Sequence, residues 1–481
     1  MPMISTRQLL TLVVFLAWPA HPAAADSGAP APPVLVGMSE KVCQLTGEID
    51  WETGQPTAAR TMTNAGLEAT DVGSPVEHEG KLFLLFGDTW PSPNEASFAA
   101  AEIPPDDAVG VIQRRKIPTG KDGKCLEMEI RHSSGEKKKF TPPTIVGPTH
   151  VKQGMFDVPT GGISAAGKFF AFFWTNHCMS PNPLKPLPAS PLLRPTPVAK
   201  NDCPETDDRN SLGTAVMAQS EDEGRTFDHV VALPTGFNTP VAVNPALESE
   251  VPREQRLGVF IFAGPRYRAS VPYLAYVPPE SLSDTNAWRF FAGRNAEGKP
   301  KWLTRSQWQG APAAPADWRP PQGAEVFSPD SDKERCIGEL SVSWNRPLHK
   351  WLMAYNCEDS GIIEARIADA PWGPWSNPVR LLSSDGQYLC HLFMRPEGCG
   401  TQRDYWPMFK REGKLVHGVA YAPFILNRYT RPATEDGGYR GTIVYWIVST
   451  WNPYQVILMR SHLRLDDNSR TRPHDRIVAN D

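Results

Sequence analysis

Two aspartates near the start of the chain have the type and spacing of an acid–base pair. Asp88 closes an unbroken apolar run in "GKLFLLFGDTW" (80–90), and Asp71 lies just upstream in "TDVGSPVEH". If the chain turns back at Glu79-Gly80, these two residues are equidistant from the turn and face each other. Their Cβ atoms would be about 5 Å apart if no bulge intervenes. Two carboxylates that close are unfavourable unless one is protonated or a cation lies nearby. Such a pair suits acid–base work, because the two pKa values are pushed apart. Hydrolysis of a glycosidic bond uses such a pair, one acid protonating the leaving oxygen and one carboxylate activating water or attacking the sugar. The general acid is assigned to Asp88 and the base to Asp71, with the reverse open. The structural alternative gives Asp88 backbone N–H groups to cap and Asp71 an Asx turn ahead of Gly73 and Pro75.

The same count on later segments sets Asp157 opposite Asn176, beside His177, and Glu339 opposite Asn356. Further polar strand ends are Arg266-Tyr267-Arg268 and Asp404-Tyr405-Trp406. The expected catalytic set is therefore Asp71, Asp88, Asp157 and Glu339. The expected substrate-binding set is Trp90, Asn176, His177, Arg266, Arg268, Asn356, Tyr405 and Trp406. Each has a plainer use. Asp157 precedes Val-Pro-Thr-Gly-Gly and could serve a turn, Glu339 could pair with Arg266 or Arg268, and His177 could simply pack. With 15 tryptophans in the chain, core packing competes with sugar stacking for Trp90 and Trp406.

A repeat would bring these residues together. "GKLFLLFGDTW" (Gly80) is echoed by "GKFFAFFWTNH" (Gly167), "GVFIFAGPRYR" (Gly258), "HKWLMAYNCED" (His349) and "GKLVHGVAYAP" (Gly413), at spacings of 87, 91, 91 and 64 residues. Four of these runs follow a plausible partner strand: "TDVGSPVEH", "FDVPTGGISA", "CIGELSVSWN" and "DYWPMFKRE". Five hairpin-containing repeats predict an all-β, five-bladed β-propeller, with a pair of β-sandwiches as the alternative. In a propeller the same end of every inner hairpin opens on one face, so the polar ends would gather into one acidic, aromatic-rimmed pocket. "SEDEGRTF" (220–227) matches the Asp-box turn of sialidase-type propellers and is expected to be structural.

Composition narrows the class. Residues 1–25 read as a signal peptide, with Arg7, an apolar core from Leu9 to Trp18 and a small-residue site at Ala23-Ala24-Ala25. That apolar core is shorter than the roughly 20 residues of a spanning helix, so a secreted or periplasmic protein without a membrane span is expected. The other expected segments are an extension at 26–60, the propeller at 61–465 and a tail at 466–481. For 26–60, a strand added to the last blade and packing outside the ring are both open. A net charge of −4 with mixed signs leaves no footprint for nucleic acid. The eight cysteines include no C-x-x-C pair, so disulfides are favoured over metal, with Cys336/Cys357 and Cys390/Cys399 the attractive pairs. No metal and no cofactor is expected, and nucleotide-binding, serine-elbow and zinc-protease motifs are missing. A monomer acting on polysaccharide is expected.

"TDVGSPVEHEGKLFLLFGDTW", "VPTGGISAAGKFFAFFWTNH", "GELSVSWN", "PWGPWSNP" and "STWNPYQVILMR" together resemble the bacterial family called domain of unknown function 4185, over roughly residues 60–465. Part of that family is classed as glycoside hydrolase family 183, endo-acting D-arabinanases of mycobacterial cell-wall arabinan. The resemblance implies a five-bladed propeller and, motif by motif, catalytic aspartates at Asp71 of "TDVGSP" and Asp88 of "FGDTW". "PWGPWSNP" is also similar to an outer strand of arabinanase-type family 43 propellers, whose three acids come from three blades. By that analogy Asp157 and Glu339 come next, although Glu339 falls in the fourth repeat rather than the third. The expected function is an exported hydrolase of furanose-containing polysaccharide, D-arabinan among them. The rivals are a non-catalytic glycan-binding propeller of the envelope and a hydrolase of acidic sugars.

Overall fold

The computed structural model describes residues 28–91, 108–112, 125–126, 128–131, 144–145, 157–175, 214–245, 249–265, 268, 270–310, 319–327, 335–357, 361–383, 410–411, 414–415, 419–433, 441–451 and 454–465. Among the described residues the chain is all-β and propeller-like, with five sheets of four to six strands and one small two-stranded ribbon. Antiparallel neighbours follow one another in chain order from the innermost strand outwards, except at two outer edges: Thr144–Ile145 pairs in parallel with Thr226–Ala232 in the second sheet, and early strands edge the composite one. The first sheet runs Leu67–His78, Lys81–Pro91, Ala108–Ile112, Glu129–Arg131. The second begins with Asp157–Ala165 and Lys168–Thr175, the third with Val241–Val243 and Val259–Ala263, the fourth with Ile337–Asn345 and Lys350–Cys357.

Four sheets are built from contiguous segments; the remaining one is composite. Its inner strands are Val419–Ile425, Gly441–Trp451 and Gln455–Arg464, and its outer edge is Val34–Leu35 and Glu40–Gln44 from the other end of the chain. Part of segment 26–60 therefore completes a sheet. The junction is hydrogen-bonded: Thr46 Oγ1 donates to Gln455 Oε1 at 2.9 Å and accepts from the Val456 N–H at 2.8 Å.

The innermost strands pack in a cycle. Leu67–His78 meets Asp157–Ala165, which meets Val241–Val243, then Ile337–Asn345, then Val419–Ile425, which returns to Leu67–His78. This arrangement explains the unbroken apolar run. Phe83 and Leu85 pack with Phe169, Ala171 and Phe173 of the next sheet, while Leu82, Leu84 and Phe86 pack with Tyr445, Ile447 and Val456 of the previous one. A strand buried on both faces has no polar alternation to show. Each such side chain contributes about 1.5–3 kcal/mol of burial.

The repeat is more regular than the sequence suggested. The runs at Gly80, Gly167, Gly258 and His349 each supply the second strand of a sheet. The fifth expected run does not. Lys410–Arg411 and Lys414–Leu415 form only the small ribbon, and "VAYAP" belongs to an innermost strand. In the composite sheet the second strand starts instead at Gly441, 92 residues after His349. In the third sheet the inner strand Val241–Val243 is short and far from its partner in sequence, which is why no partner strand was legible there.

The Asp box is a turn between outer strands. Asp222 accepts from the Thr226 N–H at 2.8 Å and hydroxyl at 2.7 Å, and Ser220 Oγ accepts from the Gly224 N–H at 2.8 Å. Burial would raise the Asp222 carboxyl, but these hydrogen bonds hold it below its ordinary value. Trp372 and Trp375 of "PWGPWSNP" lie in the link ahead of the outer strand Val379–Leu382 and pack on Trp302, Phe260 and Phe262 of the third sheet. Cys336–Cys357 is bonded as expected, and a second disulfide joins Cys43 to Cys125. Cys390 and Cys399 lie outside the described residues.

Candidate active site

The hairpin count holds near the first turn, with His78 opposite Lys81 and Ser74 opposite Leu85. Beyond it the register shifts three times, twice around Asp71 and once more before Ala69. Val72 pairs with Phe86 and Thr70 with Thr89, so Asp71 alone spans Gly87 and Asp88 on the partner strand. A bulge re-aims side chains at the end of a strand, a common device beside functional sites. It brings Asp71 and Asp88 together along the backbone, although they are not the strict cross-strand pair expected. Gly87 is required here: a Cβ on it would lie 2.6 Å from Asp71 Oδ1 and 2.8 Å from Val72.

Asp71 is 6% exposed, and its Oδ2 accepts a hydrogen bond of 2.5 Å from the Tyr421 hydroxyl on the inner strand of the composite sheet. Arg268, in the link after the third sheet's second strand, lays its guanidinium 4.9 Å from the Tyr421 ring centroid. The same guanidinium grips Glu339 of the fourth sheet with two bonds, Nε to Oε2 at 3.1 Å and Nη2 to Oε1 at 2.8 Å. Asn356 sits beside Glu339 and accepts from the Ala422 N–H at 3.2 Å. Residues from four sheets are thus joined into one cluster, each near the same end of its sheet.

Electrostatics divide these groups. Burial alone would raise the Glu339 carboxyl, but the Arg268 charge and the hydrogen bonds from Arg268, its own backbone and Asn356 hold it below its ordinary value. Glu339 is thus an ionised anchor for Arg268, the plainer role open to it in sequence. Glu68, three residues before Asp71, is the opposite case: burial pushes its carboxyl up to about 7.

Strain gathers at the same place. Three of the non-glycine residues with positive φ are Val72 (63°), Arg268 (51°) and Ala422 (53°), which are Asp71's neighbour, a member of the cluster and Tyr421's neighbour. A β-branched residue in that region is unusual, and each such residue costs on the order of 1–3 kcal/mol. Gly338 is another close approach, since a Cβ on it would come 2.5 Å from Asn356 Nδ2 and 2.7 Å from Arg268 Cγ.

Of the residues expected from sequence, the structure joins Asp71, Arg268, Glu339 and Asn356. Asp88, Trp90 and Asp157 are described as strand backbone only, with Asp157 paired to Thr175. Asn176, His177, Arg266, Tyr405 and Trp406 lie outside the described residues. Tyr421 was missed, although it stands in the quoted "GKLVHGVAYAP". Read as an inner strand, "VAYAP" puts Tyr421 at the position of Asp71 in "TDVGSP" and Glu339 in "GELSVS". Among the described residues, no group of three or more His, Cys, Asp or Glu side chains could hold a metal. No helix among them is long and apolar enough to cross a membrane.

A family profile described as domain of unknown function (DUF4185) matches residues 206–460. The chain belongs to the DUF4185 family. The matched part of this DUF4185 chain includes Arg268, Glu339, Asn356 and Tyr421, and Asp71 lies upstream of it. No curated protein matches the chain. Among solved structures, the chain is similar to a GH43_1 enzyme from Xanthomonas citri (10% identity, TM-score 0.39, covering 82% of this chain and 87% of that one). It is also similar to a protein of unknown function from Dyadobacter fermentans DSM 18053 (9% identity, TM-score 0.40, 90% and 100% covered). A third is the family 117 glycoside hydrolase Zg3597 from Zobellia galactanivorans (9% identity, TM-score 0.33, 90% and 92% covered). Likenesses this distant carry no statement about chemistry.

Proposed function

We propose that this DUF4185 protein is an exported glycoside hydrolase that cuts furanose-containing polysaccharide, D-arabinan among them, on a five-bladed propeller. Four contiguous sheets and one composite sheet, cycling through their inner strands, support the blade count. The observation that carries the activity is the buried Asp71 carboxylate, held by Tyr421 at a bulge whose other strand bears Asp88. A carboxylate that accepts a phenol hydrogen bond is disposed to act ionised, so Asp71 is the base or nucleophile and Asp88 the acid that protonates the leaving oxygen. Arg268 and Asn356 bind sugar hydroxyls, Glu339 keeps Arg268 in place, and Asp157 stands as the third acid. Trp90, Asn176, His177, Arg266, Tyr405 and Trp406 are proposed, on the sequence alone, to contact the substrate, Arg266 at the sugar hydroxyls. The two cystine bridges are compatible with export through the segment 1–25.

The test is release of reducing oligosaccharides from arabinogalactan and a panel of furanose polysaccharides. Removal of an acid–base group costs typically 10²–10⁴-fold, so Asp71→Asn and Asp88→Asn are each expected to fall by that much. Binding without release by the unaltered protein would instead identify a glycan-binding propeller.

A further inference from the structure

The seam that closes the ring passes beside the strand carrying Asp71. The Leu45 N–H donates to the Val456 carbonyl at 2.8 Å, and the Thr70 N–H to the Tyr454 carbonyl at 3.3 Å. Gln455 holds both sides at once: its Nε2 donates to the Glu68 carbonyl at 3.3 Å, and its Oε1 accepts from Thr46 at 2.9 Å. The fit is close, since a Cβ on Gly47 would lie 2.6 Å from Gln455 Oε1. Glu68 is an extra residue in its strand, because Leu67 pairs with Pro91 and Ala69 with Trp90.

The Glu68 side chain does not suit a charge. It is half-buried, and its Oε2 has essentially no accessible surface and no hydrogen-bond partner. A neutral carboxyl tolerates that position; an anion there lacks both water and a donor. Burial is the only cause of the rise in its pKa from 4.5 to about 7. Helix Thr61–Ala65, which packs on this strand, has no ionisable side chain. On the other elements packed there, Tyr421 is turned to Asp71 and Lys81 to Glu223. Tyr445, opposite Arg460, and Arg460, His462 and Arg464 themselves lie at least five residues from the Gln455 end, about 17 Å along the strand. Among the described residues, no cation is therefore placed to answer an ionised Glu68.

We propose that Glu68 is a proton-controlled latch on the ring. Neutral, it lets the outer end of its strand pack against Gln455 and the N-terminal segment; ionised, it draws water into that seam and loosens residues 44–47 from 455–456. The latch does not depend on the hydrolase reading, because it concerns closure of the ring and is read without substrate.

Amide hydrogen exchange of the full chain is followed by mass spectrometry at about pH 6 and about pH 8.5, each rate corrected for the intrinsic effect of pH. Peptides covering 42–47 and 454–458 report the seam, and Lys350–Cys357 of the fourth sheet is the reference. Below pH 4.5 the carboxyl favours the closed seam fully, and that contribution is lost as pH rises through about 7. Protection of the seam is therefore expected to fall severalfold, to a limit of about tenfold, between the two conditions, while the reference strand is unchanged. Glu68→Gln, the neutral isostere, and Glu68→Met, which keeps the length without an ionisable group, each remain protected at both. Equal seam protection at the two pH values in the unaltered chain would overturn the proposal. So would the same fall in either variant, or an equal fall in the reference strand.

Discussion

Asp71 and Tyr421 show how little of a contact between distant residues can be read from spacing. They are 350 positions apart and are joined only because two inner strands are neighbours where the ring closes. Asp71 was legible, since an acid beside a greasy hairpin stands out. Tyr421 was not, because a tyrosine in an apolar run reads as core. Tyr421→Phe removes the hydrogen bond while keeping the ring under Arg268, and a 10–100-fold fall in turnover with an unchanged melting temperature is expected. Glu339 gives a stability prediction. Its folded pKa lies below its ordinary 4.5, so its contribution is complete above about pH 4.5 and is lost as pH falls through the folded value. Removing one partner of a buried pair costs about 3–5 kcal/mol. In urea melts, Glu339→Gln should therefore be destabilised by that order at pH 7, with the gap shrinking towards pH 3. Glu68 has the reverse sign: its folded pKa is raised from 4.5 to about 7, so stability falls as pH rises between those values. Glu68→Gln is accordingly expected to raise the melting temperature at pH 8 and to change it little at pH 4.

At the scale of strands and turns, hairpins were the part the sequence expressed best. Turn residues followed by apolar runs located the second strand in four of five sheets, because local pairing needs only local signals. The fifth was misplaced because Gly413 carries the same local pattern as the others, and the strand from Gly441 was not read as their counterpart. Bulges were also illegible: nothing in "TDVGSP" or "FGDTW" announces that one residue will span two, although Gly87 is the residue that permits it. Cysteine pairing divides the same way. Cys336–Cys357 follows from adjacent strands and was expected; Cys43–Cys125 joins strand Glu40–Gln44 to a segment 82 positions on and was not. Replacing Cys43 and Cys125 together by serine should cost about 2–5 kcal/mol, read as a lower denaturation midpoint.

For the whole molecule, the ring is held by pairing of its two chain ends, with Val34–Leu35 and Glu40–Gln44 on Gln455–Arg464. A chain starting after Gln44 would expose that strand's edge and lose Thr46's nearest supports; rapid proteolysis and aggregation are expected, as for other unprotected edges. Closure also places the cluster, because Tyr421 reaches Asp71 only across the junction between the composite sheet and the first. The central claim, that Asp71 at this junction performs hydrolysis, is tested most directly by oligosaccharide release from arabinogalactan by the intact protein and by Asp71→Asn. The account predicts release by the former and a loss of at least a hundredfold in the latter, with glycan binding and melting temperature retained. Undiminished release by Asp71→Asn would contradict it.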